Sequence, residues 1–147
     1  MSRLLILIFI CLALFLTSDA NADQRSDPRE QALSNALDLW REGRFEPLYD
    51  TLSHRGSMNR ERFIAMLKDA AIKPACCHLK LNNFRLISDK PTTAKVFAVV
   101  SMEGRGAVSG GRHSREFVLD HEEGRWKVRL SDIKALAGQS GTRKNKR

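Results

Sequence analysis

Cys76, Cys77 and His78 form the densest run of reactive side chains in the sequence. A thiolate is a nucleophile and a soft-metal ligand, and an imidazole adds a proton carrier or a further ligand. Neighbouring residues of a strand point to opposite faces, so these three cannot meet on one ion without a turn, and no metal is expected. An oxidising compartment leaves three states open to the two cysteines. They form a vicinal disulfide, they pair between two protomers, or they stay thiols packed at the start of a strand. The C-x-x-C-H spacing of haem attachment is absent, and no other cofactor signature stands in the chain.

Tyr49, Asp50 and His54 are a second group, close enough in sequence to share one pocket mouth. A phenol, a carboxylate and an imidazole together suit general acid–base catalysis. Against this, Asp50 reads as a solvated helix residue and His54 as a loop residue. No H-E-x-x-H or other spaced ligand set appears, which leaves His113 and His121 as exposed strand residues. Trp40, Tyr49, Met66 and Trp126 could line an apolar cavity or simply fill the core. Gly104, Gly106, Gly110 and Gly111 lack the P-loop spacing and the helix start that would cradle a phosphate, so they read as a flexible connection.

The elements that must position these residues are legible from periodicity. Asp27, Pro28 and Glu30 make a helix start, Ala32, Leu33, Ala36, Leu37 and Trp40 recur along one face, and Gly43 stops the helix near 42. A short second helix spans 46–53. Ser57 or Asn59 caps a third, with Phe63, Met66, Leu67 and Ala70 as its buried stripe, and Pro74 ends it at 73. The period then changes to two. Leu79 and Leu81 alternate with His78 and Lys80, and Phe84 and Leu86 resume one residue out of phase, which predicts a bulge near Asn82-Asn83. Residues 93–103 form a strand with Val96, Ala98, Val100 and Met102 on one face. Residues 114–122 and 125–130 form a hairpin about Glu123-Gly124. Asp132 to Ala137 make a closing half-turn. The expected fold is α+β: three N-terminal helices packed on a curved antiparallel four-stranded sheet.

The ends carry separate signals. Arg3, the 13-residue apolar run Leu4–Leu16 and the small-x-small pattern Ala20-Asn21-Ala22 predict a signal peptide over 1–22, cleaved on export to the periplasm or beyond. That run is shorter than the roughly 20 residues that span a bilayer, and no second one follows. Residues 23–27 are then a polar leader, 28–137 one domain and 138–147 a basic tail. Of the net charge of +8, half lies in Arg143, Lys144, Lys146 and Arg147. Specific nucleic-acid recognition is therefore not expected, whereas a salt-sensitive contact of the tail with an anionic surface is.

Several stretches fall in a familiar order. Leu39-Trp40-Arg41-Glu42-Gly43-Arg44-Phe45 ends a long helix, Leu48-Tyr49 sits in a short one, Ser57-Met58-Asn59-Arg60-Glu61-Arg62-Phe63 opens a third, and Gly124-Arg125-Trp126-Lys127-Val128 closes a sheet. Over about residues 28–137 the chain resembles the nuclear transport factor 2-like superfamily, the cone-shaped fold of ketosteroid isomerase, scytalone dehydratase and polyketide cyclases. It is similar above all to small exported bacterial members. The resemblance implies a cone, and a homodimer through the outer face of the sheet. Enzymes of the family carry acid/base residues inside the cone, but no motif here transfers one by position. The expected function is a non-catalytic exported module that binds a small apolar ligand or a protein partner. The alternatives are a lyase or isomerase using Tyr49, Asp50 or His54, and an anionic-surface binder working through its tail.

Overall fold

In the computed structural model, which describes residues 26–138, the first helix forms where the capping residues place it. Helix α1 (Pro28–Arg41) starts with Pro28 in its first turn, and the Asp27 carboxylate accepts the Arg29 N–H. Leu33, Ala36, Leu37 and Trp40 are buried along one stripe. Helix α2 (Phe45–Thr51) follows at once, then β1 (Leu52–Ser53), helix α3 (Arg60–Asp69) and β2 (Ile72–Pro74). Asn59 is the cap of α3, its side-chain oxygen accepting the Arg62 N–H at 2.9 Å. A 3₁₀ turn (Cys77–Leu79) leads into β3 (Leu81–Asp89), β4 (Thr93–Gly104), β5 (Gly111–Glu122), β6 (Arg125–Arg129) and helix α4 (Leu130–Ala137).

Over the described residues the protein is α+β, with a curled half-barrel sheet and four helices. The sheet has six strands in the order β1-β6-β5-β4-β2, and β3 also pairs with β4. All pairings are antiparallel except β1 with β6, where Leu52 and Ser53 run parallel to Val128 and Arg129. Three expectations are corrected here. The sheet is not four-stranded and not wholly antiparallel, because both short helices stop early and their last residues pair as strands. The third helix ends at Asp69 rather than 73: Ala70 turns extended, and β-branched Ile72 is buried by pairing opposite Gly104. The closing half-turn is a full helix, because Leu130, Ile133, Leu136 and Ala137 are buried with the main core.

The third strand also starts later than its alternation predicts. Leu79 belongs to the 3₁₀ turn and is 58% exposed, and pairing begins at Leu81 opposite Val100. The bulge expected near Asn82-Asn83 is present: the register shifts between Asn82 and Arg85, and Asn83 has φ 51°. On β4 the alternation holds, with Val96, Ala98, Val100 and Met102 facing the helices at 4% exposure or less. Between β4 and β5 the glycines answer to a close backbone approach. A Cβ on Gly104 would stand 1.6 Å from the Val108 carbonyl oxygen, and one on Gly110 would stand 2.0 Å from that of Met102.

Ile133→Ala should cost about 2–5 kcal/mol in urea unfolding, because α4 supplies core rather than a loose end. Leu79→Ala should fall within about 0.5 kcal/mol of wild type. Equal small effects would mean that α4 does not close the core.

Candidate functional site

The hairpin β5–β6 fixes the site through its register. The two-residue turn at Glu123-Gly124 sets Glu122 opposite Arg125, His121 opposite Trp126 and Asp120 opposite Lys127. Trp126 and Val128 therefore face the helices, while Lys127 and Arg129 face outward with Asp120.

Trp126 lies half-buried where the first turn of α1 meets the sheet. The Arg29 guanidinium sits 4.7 Å from its ring centroid, and the His121 ring lies at 4.9 Å. Arg29 is itself aimed by Asp27 and by Asp89 at the end of β3. Trp126 walls two clefts. One, of about 280 Å³, has Ala32, Asn35 and Ala36 of α1 on one side, Asp50 and Thr51 of α2 on another, and Arg125 and Lys127 flanking Trp126 on β6. The other, shallower and of about 370 Å³, is bounded by Arg29, Asp89, Lys90 and Pro91.

The remaining residues singled out from the sequence go elsewhere. Trp40 has no exposed surface and fills the core, with its indole N–H unpaired among the described residues. Tyr49 and Met66 pack half-buried against that core. The Tyr49 hydroxyl donates to the Met58 carbonyl at 2.7 Å, and its ring lies 5.5 Å from Phe63. Asp50 touches the Trp126 cleft but turns its carboxylate to Arg60 at 2.6 Å. His54, at φ 47°, points its Nε2 toward Asp120 at 3.4 Å and is 61% exposed. Arg55 and Arg60 lie over the Tyr49 ring and pair with Asp50, while His54 turns to Asp120, so the three side chains are not directed at one point. Nor do Trp40, Tyr49 and Met66 join Trp126 around one cavity.

Asp120 is the polar residue that sequence reasoning missed. It is 5% exposed and accepts four side-chain hydrogen bonds. Arg129 donates Nε and a terminal nitrogen to its two oxygens, both at 2.9 Å. Ser53 donates at 2.7 Å, Thr93 at 3.2 Å, and His54 stands at the edge. The Arg129 hydrogen bonds hold the Asp120 carboxyl down at about 2, with Ser53 adding to them against the opposing effect of burial. A carboxylate so strongly held is a fixed anion and a poor proton acceptor at neutral pH. Its role is mechanical: it ties β1 to β4, β5 and β6, and β1 directly follows Asp50 and Thr51 of the Trp126 cleft. The hairpin register already places Asp120 beside Lys127 and diagonal to Arg129; nothing in the sequence places Ser53 there.

Cys76 and Cys77 are bonded to each other and both are exposed. Of the three states left open by the sequence, the vicinal disulfide is the one present, and the pair occupies the turn before β3, with Cys77 at φ 61°. The turn is pinned on each side. Ala75 N–H donates to Ser101, Ser101 N–H to Lys80, and the Cys76 N–H to a Glu103 carboxylate oxygen at 3.3 Å. Arg41 of α1 bridges the Pro74 carbonyl and Glu103, both at 2.9 Å. Among the described residues no three His, Cys, Asp or Glu side chains are grouped to hold a metal ion. The signal segment 1–22 and the tail cations Arg143, Lys144, Lys146 and Arg147 lie outside the described residues.

Asp120→Asn should lower the unfolding free energy near pH 7 by about 2 kcal/mol, the worth of a carboxyl held at about 2 when folded and near 3.8 when unfolded. Because the folded value is the lower one, the stabilisation is complete above the unfolded value and is lost as pH falls toward 2. The gap between wild type and variant in chemical denaturation should therefore close across that acid window. A gap independent of pH would contradict the role of the charge. Set against known proteins, the chain matches no protein-family model, and no curated protein is significantly similar to it.

Proposed function

We propose that the chain is an exported, non-catalytic binding module of the nuclear transport factor 2-like kind, and that its ligand is a small, partly apolar molecule seated against Trp126. The observation that carries this reading is the position of Trp126: a half-buried indole shared by two clefts, with Ala32 and Ala36 beside it in one and polar or charged side chains completing the walls of both. An aromatic wall with a few orienting polar groups is how small-molecule sites are usually made. The core supports placing the ligand at this mouth rather than deep inside a cone. Leu33, Leu37, Trp40, Leu48, Phe63 and Phe117 are fully enclosed and fill the space between sheet and helices. A lyase or isomerase is less favoured, because the Tyr49 hydroxyl is bonded to the Met58 carbonyl, the Asp50 carboxylate is taken by Arg60, and His54 turns to Asp120.

The test uses the two tryptophans, one enclosed and one exposed to the clefts. Anilinonaphthalene sulfonate should bind the native protein, brighten, and quench the Trp126 share of the emission. Trp126→Ala should weaken that binding by about tenfold, as expected for loss of an aromatic anchor. Trp126→Phe, which keeps a flat apolar wall, should recover most of it. Circular dichroism would establish that both variants fold. Equal affinity in wild type and Trp126→Ala would reject the site.

A further inference from the structure

The Cys76–Cys77 bond stands apart from the Trp126 clefts, on the other side of α1. Cys77 lines a cleft of about 350 Å³ whose remaining walls are Ser26, then Glu30, Gln31 and Ser34 of α1, with His78, Lys80 and Leu81 of the turn and β3. That surface carries both signs of charge. Glu30 lines it with a carboxylate, and Lys80 with an ammonium that pairs with Asp38. We propose that Cys76–Cys77 is a thiol–disulfide exchange site, and that this cleft seats a small zwitterionic thiol, of the glutathione class, that opens it.

Position selects the sulfur attacked. Cys76 is not among the walls of this cleft, and its N–H is tied to the Glu103 carboxylate, which pairs with Arg41. Cys77 instead opens onto the cleft that contains Lys80 and His78. Attack therefore falls on the Cys77 sulfur. The thiolate of the small molecule forms a bond to Cys77 Sγ, the Cys76–Cys77 bond breaks, and Cys76 leaves as a thiolate that takes a proton from water. A second molecule of the thiol then attacks the sulfur of the bound one. This step forms the small-molecule disulfide and releases Cys77 as a thiolate, which is protonated in turn. Two thiols are oxidised by two electrons in all, and the protein disulfide is reduced. The reverse sequence re-forms the bond.

Two experiments on the full chain test this, read by alkylation and mass spectrometry. In the first, oxidised glutathione is added to variants that also carry Cys11→Ser, so that each keeps one cysteine. Cys76→Ser should acquire glutathione on Cys77 about tenfold faster than Cys77→Ser acquires it on Cys76. In the second, Gln31→Trp, a change at an exposed position of α1, narrows the cleft. Opening of the wild-type bond by glutathione should slow about tenfold, while opening by the small uncharged dithiothreitol changes less than about twofold. Equal rates at the two cysteines would overturn the selectivity. Glutathione opening that Gln31→Trp leaves unchanged, or slows no more than dithiothreitol opening, would overturn the cleft. A bond that dithiothreitol opens and glutathione does not would overturn the proposal as a whole.

Discussion

The inner face of β4 has to be kept from water, and the other elements are arranged around that demand. Val96, Ala98, Val100 and Met102 lie in one row along a 12-residue strand. A row of that length cannot be covered by a single short helix. One flank of β4 pairs with β5 along nearly its whole length, and the other is shared by β3 and then β2. The helices α1 and α3 lay Leu33, Leu37, Trp40, Phe63 and Leu67 into the same apolar cluster, and α4 adds Ile133 and Leu136. Hydrophobic burial thus explains why an eight-residue C-terminal segment becomes a helix when its own length would leave it marginal.

Polar groups then decide what apolar burial leaves open. The curl of the sheet ends in a two-residue strand, β1, that has only two residues of ladder to hold it. Its Ser53 hydroxyl and the neighbouring His54 both approach Asp120, and Arg129 anchors that carboxylate from β6. A buried anion costs several kcal/mol unless its oxygens are satisfied, and here both oxygens accept hydrogen bonds. Asp132 does similar work at the far end of the hairpin. It accepts the Val118 N–H where β6 leaves the ladder, and burial raises its carboxyl above the ordinary range. The two aspartates shift in opposite directions because one faces a bidentate arginine and the other is governed by desolvation.

Helix α1 organises the surface as well as the core. Its buried stripe is Leu33, Ala36, Leu37 and Trp40. At 3.6 residues per turn, Arg29, Ala32 and Asn35 fall to one side of that stripe and Glu30, Gln31 and Ser34 to the other. The first set borders the Trp126 clefts and the second borders the disulfide. One helix therefore separates two chemically different mouths: one with an aromatic wall, the other charged and next to an electrophilic sulfur pair. The interactions that aim each side are local to it. Asp27 and Asp89 orient Arg29, while Asp38 orients Lys80.

The sequence alone determined whatever depends on near neighbours. The Asp27-Pro28 start of α1, the period-two row of β4, the bulge at Asn82-Asn83 and the register of the β5–β6 hairpin all follow from spacing and turn chemistry within a few residues. That register already implied an inward Trp126 and an outward Asp120. Residues 52–53 and 72–73 continue a helical pattern locally; they are strands because Val128 and Gly104, far along the chain, stand opposite them in the sheet. The joining of Ser53, Thr93 and Arg129 on one carboxylate is likewise a product of sheet order. The same is true of the pairing of Asp50 with Arg60 while His54 turns to Asp120. Sequence distance sets which residues are available to meet, and only the packing of the curled sheet against its helices decides which of them do.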